Sequence, residues 1–107
     1  MATQAFLEII VPEAQDSLSR IILSGTPYYI RFTYNDTEDR WYFGLYDIQR
    51  NPIAQAIKIV PGFPLNAFRQ AAEMPSGVFV CKSNEDGVGR YDFRDQKARF
   101  YWMEVER

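Results

Sequence analysis

The sequence of 107 residues contains no histidine and only one cysteine, Cys81. A Ser-His or Cys-His catalytic pair therefore cannot form within one chain. The usual ligand set of a zinc site is excluded for the same reason. A single cysteine cannot form an intramolecular disulfide, so nothing in the sequence points to an oxidising compartment. We expect a protein with no cofactor and no enzymatic activity.

Long apolar runs and excess positive charge are also missing. No stretch approaches the ~20 apolar residues that a membrane-spanning helix needs. Residues 1–10 lack a basic region and are interrupted by Glu8, so they do not resemble a signal peptide. The formal net charge is −2, whereas a general nucleic-acid binder needs a basic surface to displace counterions. We predict a protein that stays in the cytoplasm, or leaves it as part of something larger, with no membrane partner and no specific nucleic-acid partner.

Aromatic residues, in contrast, are abundant at 16% of the chain. Many lie in a predicted hairpin with the arms Tyr28–Tyr34 and Trp41–Asp47, joined by a solvated loop, Asn35–Arg40. Both arms alternate with period 2, which is typical of strands rich in β-branched and aromatic residues. One face is predicted to point into the core and consists of Tyr28, Ile30, Phe32, Tyr34, Trp41, Phe43 and Leu45. The other face is not plainly polar and consists of Tyr29, Arg31, Thr33, Tyr42, Gly44 and Tyr46.

Five further segments are predicted to be strands, and turn-forming residues separate them. Leu65–Met74 has apolar residues at helical spacing and is the one predicted helix. We therefore predict one all-β domain over residues 1–107, a small antiparallel β-barrel or sandwich of about seven strands with one short helical segment. Leu18–Leu23 and the terminal strand are candidate sheet edges. The five strands are Phe6–Val11, Leu18–Leu23, Ile53–Val60, Val78–Lys82 and Ala98–Val105, and the face of the third is predicted to carry Ile53, Gln55, Ile57 and Ile59.

Carboxylates cluster at two places in predicted loops. An acid/base pair would need a partly desolvated cleft to separate the two pKa values. Loop positions close to arginines do not supply such a cleft, so a solvated face is the favoured interpretation. Cys81 lies in a predicted strand and is expected to be a small buried apolar residue. The two clusters are Asp36, Glu38 and Asp39, and Asp92 and Asp95.

A protein–protein interface is the favoured functional interpretation. Several residues lie opposite the predicted core faces of the hairpin and of the last strand. Tyrosine, methionine and arginine are enriched in protein contacts, although the polar tips of single tyrosines also reach water in ordinary surfaces. An alternative is a single-stranded nucleic-acid-binding, OB-like barrel whose aromatics stack on bases, but the acidic balance opposes it. The predicted interface residues are Tyr29, Arg31, Tyr42, Tyr46, Arg99, Tyr101 and Met103.

The order and spacing of motifs from Gly25 onward follow a recognisable pattern. The pattern consists of Gly25–Asn35, Trp41–Asp47, Asn51–Ile53, Ile57–Gly62, Leu65, Gly77–Val80 and Arg99–Trp102. This order resembles the small baseplate plug family of contractile-tailed bacteriophages, in which a glycine usually stands at the position of Arg50. The resemblance implies a non-enzymatic virion protein of the tail baseplate, made in the host cytoplasm. It also implies partners among the baseplate hub and tail-tube proteins, together with ring-forming copies of the protein itself.

Overall fold

A computed structural model describes residues 6–23, 25–62, 64–65, 77–83 and 87–104 of the chain. Its strands form two antiparallel sheets, ordered β1-β8-β7-β6 and β2-β3-β4-β5. Among these residues none is helical, and none belongs to a helix that could cross a membrane. The strands are β1 (Phe6–Ile9), β2 (Asp16–Leu23), β3 (Thr26–Asn35), β4 (Arg40–Tyr46), β5 (Pro52–Lys58), β6 (Pro64–Leu65), β7 (Gly77–Ser83) and β8 (Ala98–Glu104).

The predicted all-β class is confirmed. Seven of the eight strands, all except the two-residue β6, correspond to predicted segments. The predicted helix Leu65–Met74 falls almost wholly outside the described residues, and its first residue belongs to β6. A two-sheet sandwich therefore replaces the open choice between a barrel and a sandwich.

The aromatic hairpin is the central part of the β2–β5 sheet. Strands β3 and β4 pair with Ile30 opposite Leu45 and Phe32 opposite Phe43. The predicted core face is buried except for Tyr34, which is half-buried. The predicted loop was too long, because Asn35 pairs with Arg40 and leaves a turn of residues 36–39.

Aromatic rings from both sheets meet in one core. Phe43 packs against Phe79 and Phe100 of the opposite sheet with ring centroids 4.9 and 5.2 Å apart. Phe32 meets Phe100 edge-to-face at 5.4 Å. Such offset and perpendicular arrangements are the favoured geometries of aromatic pairs. The inner faces of the two sheets therefore face each other.

The segment after β5 connects the two sheets at one side of the sandwich. The backbone N–H of Ile59 donates to the carbonyl of Trp41 in β4 at 2.9 Å. Three residues later, the N–H of Gly62 donates to the carbonyl of Cys81 in β7 at 3.0 Å. Cys81 is fully buried, as predicted, and this burial raises the pKa of its thiol to about 12.

Strand β5 departs from the predicted regular alternation because it contains a bulge. Phe43 pairs with Ile57 and Leu45 pairs with Ala54, so two residues of β5 lie opposite Gly44. Ala56, one of these two, has a positive φ of 56°. The extra residue changes the phase of the strand, so Ala54 packs against the core alongside Ile57. The predicted face is therefore interrupted at Gln55, which is exposed, whereas Ile53, Ile57 and Ile59 all lie in or against the core.

The sheet order also decides which strands are edges. Strand β2 is an edge of its sheet, which confirms one of the two candidates. The terminal strand, β8, lies between β1 and β7, so the second candidate is not an edge. The physical reason is that β1 pairs with β8 across the full length of the chain, a long-range contact without a local sequence signal.

Candidate protein interface

The seven predicted interface residues lie on two outer faces of the sandwich. Residues of a strand alternate between its two faces, so the neighbours of the core residue Phe43 point outward. The same holds for the neighbours of Phe100 in β8. The structure thus separates the predicted residues into two groups on opposite sides of the core. We call these the first outer face (Tyr29, Arg31, Tyr42 and Tyr46) and the second outer face (Arg99, Tyr101 and Met103).

The first outer face surrounds a shallow depression in the sheet. Its volume is about 440 Å³, and it lies around Gly44 between Arg31, Tyr42 and Tyr46. A Cβ added at Gly44 would come within 3.1 Å of the carbonyl oxygen of Ala54. The depression therefore exists because Gly44 has no side chain where the β5 bulge brings the backbone close.

Tyr42 is held in place by a hydrogen bond to the hairpin turn. Its hydroxyl donates to the carboxylate of Glu38, which also lies 3.6 Å from the ammonium of Lys58. The hydrogen bond lowers the pKa of Glu38 and raises the pKa of Tyr42. The hydroxyl therefore remains a donor at neutral pH, and its direction is fixed by residues of the same chain.

Arg31 is held by a bidentate hydrogen bond to Asp16 in the neighbouring strand β2. Its Nε and Nη2 donate to the two carboxylate oxygens of Asp16 at 2.9 and 2.7 Å. This hydrogen bonding lowers the pKa of Asp16 and raises the pKa of Arg31. The planar guanidinium matches the carboxylate geometry, so Arg31 has a defined orientation beside the depression.

The remaining two tyrosines of this face are cross-strand neighbours. Tyr29 pairs with Tyr46 in the register of β3 and β4. The guanidinium carbon of Arg50 lies 5.0 Å from the centroid of the Tyr29 ring, and Gln55 donates to the hydroxyl of Tyr46 at 3.4 Å. The three tyrosines of the first outer face are therefore half-buried, and the hydroxyls of Tyr42 and Tyr46 already have partners.

The second outer face is a stripe bordered by charges. Tyr101 lies between Glu8 and Val80 in the sheet, and Met103 lies opposite Val78. Tyr101 and Met103 are half-buried, as are the two valines. Arg99 is exposed, and its guanidinium lies 3.8 Å from Glu8. This face is more apolar than the first outer face.

Sequence reasoning missed two exposed apolar residues on the β2–β5 sheet. Leu18 and Ile22 of β2 are 46% and 56% exposed. They share the outer side of β2 with Asp16 and Arg20. The sequence signal is a period-2 alternation, but its outward row mixes apolar and charged residues and so does not identify an exposed apolar face.

The acidic clusters do not form a catalytic cleft. Glu38 and Asp39 of the hairpin turn are exposed and accept hydrogen bonds from Tyr42 and Tyr34. Asp92 is half-buried, and its carboxylate accepts the backbone N–H of Gly89 at 2.7 Å. The interpretation of Asp92 as part of a solvated face is therefore wrong, because its carboxylate organises the loop before β8.

The described strands form a two-sheet β-sandwich that carries half-buried tyrosine, valine and methionine side chains on its outer faces. The chain matches the family described as cyanophage baseplate Pam3 plug gp18 over residues 6–105. The match spans nearly the whole chain, so the protein belongs to this family of phage baseplate plugs. No curated protein matches the chain. The family resemblance and the structural role in a phage baseplate are confirmed, and the match gives no support to the nucleic-acid-binding alternative.

Proposed function

We propose that the protein is a non-enzymatic component of the phage tail that packs between the tail tube and the baseplate hub. The observation that carries this proposal is the family match over residues 6–105. The protein would be made in the host cytoplasm and incorporated into the virion there. Its partners would be the hub and tail-tube proteins, with further copies of itself arranged in a ring.

A protein that packs between two other proteins needs two contact surfaces. The sandwich has two outer faces, and each carries half-buried aromatic or apolar side chains. Tyrosine and arginine are the residue types that most often dominate binding energy at interfaces. We assign one neighbouring protein to the first outer face and the other to the second outer face.

The first test replaces Tyr42 and Tyr46 with serine in the same protein. Each replacement keeps a hydroxyl but removes the aromatic ring, so the surface available for contact around the depression becomes smaller. We expect the purified double variant to fold, as judged by circular dichroism, but to fail in complementing a phage that lacks the gene. Baseplate formation in that phage is scored by electron microscopy.

The matched control is Tyr91→Ser. Tyr91 is 46% exposed, and its ring lies against Arg90 and Arg94 in the loop before β8. This variant also removes a tyrosine ring, but one that lies outside both outer faces, so a phage complemented with it is expected to form normal tails. Normal baseplates with the Tyr42→Ser/Tyr46→Ser protein would contradict the role of the first outer face.

A second experiment separates the two faces. Tyr101 and Met103 are replaced with serine, and both double variants are co-expressed separately with the hub protein and with the tail-tube protein. We expect each double variant to lose co-purification with one of the two proteins and to retain the other. Two variants that each retain both partners would contradict the two-face arrangement.

A further inference from the structure

Strand β2 has a long edge that is not blunted by a short length, a proline or a bulge. It pairs with β3 without interruption over eight residues, and no strand among the described residues pairs with its other side. Natural edges are commonly blunted by short strands, prolines or bulges. Strand β5 has a bulge and begins at Pro52, whereas β1 and β6 have only four and two residues. Among the edge strands that the structure describes, β2 is the one with none of these three devices, and its outward row carries the charged residues Asp16 and Arg20.

One buried hydroxyl of β2 also lacks a partner. The Oγ of Ser17 is buried and makes no hydrogen bond. Buried polar atoms are nearly always satisfied in folded proteins. Ser17 belongs to the inward row of the edge strand, so a strand added beside β2 would bring new side chains next to this hydroxyl.

We propose that β2 pairs antiparallel with β2 of a second copy and joins two four-stranded sheets into one. A continuous sheet requires outward residues to lie opposite outward residues. When Leu18 lies opposite Leu18 of the second copy, Asp16 lies opposite Arg20 of that copy. Ser17 then lies opposite Ser19 of the second copy. The Asp16–Arg20 and Ser17–Ser19 contacts therefore each occur twice, around a two-fold axis that passes between the two Leu18 residues.

Other registers of the same two strands lack this complementarity. Centring the pairing on Arg20 places two arginines opposite each other, and like charges directly opposite are destabilising. Centring it on Ser19 places Asp16 opposite Ile22 and Leu18 opposite Arg20. Centring it on Ser17 places Asp16 opposite Leu18. Only the register centred on Leu18 places opposite charges together.

The two charged residues are available for this contact. Arg20 forms no ion pair with the residues that the structure describes. Asp16 binds Arg31, but an ionised carboxylate has about four acceptor positions. Asp16 therefore bridges Arg31 of its own chain and Arg20 of the second copy. A two-fold contact closes at two copies, so this is a dimer of the free protein and does not depend on the baseplate assignment.

Sedimentation equilibrium of the purified protein over a range of concentrations tests the association. We expect a monomer–dimer equilibrium whose dissociation constant rises about tenfold or more in Arg20→Asp, because two attractive pairs become repulsive. Lys97→Asp makes the same charge change at an exposed position just before β8, outside both outer faces, and is expected to leave the constant unchanged. A protein that stays monomeric up to about 1 mM, a very weak association, overturns the proposal and leaves the baseplate assignment intact. Equal effects of the two variants also overturn it.

Cysteine cross-linking tests the register. Leu18 lies opposite its own copy, where cross-strand Cβ atoms are about 4.5–5.5 Å apart, so Leu18→Cys is expected to form a disulfide-linked dimer under mild oxidation. Ile22 is at least as exposed, but its two copies would be roughly 26 Å apart along the strands, so Ile22→Cys is expected to remain unlinked. The wild type, whose Cys81 is buried, is the baseline. Cross-linking of Ile22→Cys as fast as Leu18→Cys overturns the register.

Discussion

Arg50 has a backbone conformation that glycine would adopt more easily. Its φ is 68°, in the left-handed region, which costs a residue with a Cβ roughly 1–2 kcal/mol. The turn between β4 and β5 imposes this conformation. The carboxylate of Asp47 accepts the backbone N–H groups of Gln49 and Asn51 at 2.9 and 2.8 Å, and its carbonyl accepts the N–H of Arg50 at 2.9 Å.

The informative comparison is between Arg50→Gly and Arg50→Ala. Both variants remove the guanidinium that lies over the Tyr29 ring, so the difference between them isolates the backbone. Glycine avoids the cost of about 1–2 kcal/mol that the left-handed conformation imposes on alanine in the folded state. It also makes the unfolded chain more flexible, which lowers the stability of the folded state by about 0.4–1 kcal/mol. We expect Arg50→Gly to be more stable than Arg50→Ala by about 0.5–1 kcal/mol. This corresponds to a difference in Tm of about 2–5 °C for a domain of this size.

Urea denaturation followed by tryptophan fluorescence measures this difference. The two variants should have the same m-value, because they expose the same surface on unfolding. The free energy of unfolding then follows from the two midpoints. If Arg50→Ala is as stable as Arg50→Gly, the turn does not hold residue 50 in the left-handed conformation, and the reasoning is refuted.

Three further predictions concern the core and the hairpin. Phe100→Ala should lower the free energy of unfolding by about 3–5 kcal/mol, measured by urea denaturation, because the ring is fully buried at the junction of the two sheets. Gly77→Ala should cost about 1–3 kcal/mol in the same assay, because its new Cβ would clash with Cζ2 of Trp102. In Tyr34, the hydrogen bond to Asp39 raises the pKa to about 12, so its stabilising effect is present below the ordinary tyrosine pKa of about 10 and is lost as the pH rises through about 12. Tyr34→Phe should therefore weaken the loss of stability across that alkaline range, measured as the urea midpoint against pH.

Matched controls separate these causes from general damage. Phe93→Ala removes a ring at the half-buried rim of the same cluster, and a cost equal to that of Phe100→Ala would contradict the central position of Phe100. Gly89→Ala places its Cβ 3.4 Å from the nearest atom, Oδ2 of Asp92, so it should be tolerated better than Gly77→Ala. If the urea midpoint of Tyr34→Phe falls with rising alkaline pH as steeply as that of the wild type, the Tyr34 hydrogen bond does not affect stability.

The hairpin could be predicted from the sequence because its signal is local. Alternating apolar residues such as Ile30, Phe32, Trp41 and Phe43 lie close together along the chain, and all four are buried. The position of β8 could not be predicted in this way, because its pairing with β1 joins the two ends of the described chain. Local patterns carry no information about such long-range pairing.

The bulge opposite Gly44 is a second feature that the sequence did not reveal. A strict period of two predicts one continuous face for the segment from Ile53 to Val60. The positive φ of Ala56 interrupts that period, although alanine is not a residue that signals a left-handed conformation. The depression of the first outer face depends on this bulge, so the candidate residues were predictable but the shape between them was not.

The two outer faces differ in the number of polar groups that a partner protein would have to bury. On the first outer face, Tyr42 and Tyr46 already have hydrogen-bond partners in Glu38 and Gln55. A partner could therefore cover the rings without leaving these hydroxyls unsatisfied, which would otherwise cost about 1–3 kcal/mol for each buried group. The orienting contacts also reduce the side-chain entropy that is lost on binding.

On the second outer face, Met103 and the two neighbouring valines have no polar group to desolvate. Burial there is favourable at about 25 cal/mol per Å² of apolar surface and demands little directional match. The first outer face is therefore suited to selecting its partner by shape and orientation, and the second to adding affinity through apolar contact. Tyr42→Phe, which removes the hydrogen bond that fixes the ring to Glu38, should therefore impair assembly more than Met103→Leu, which preserves apolar volume.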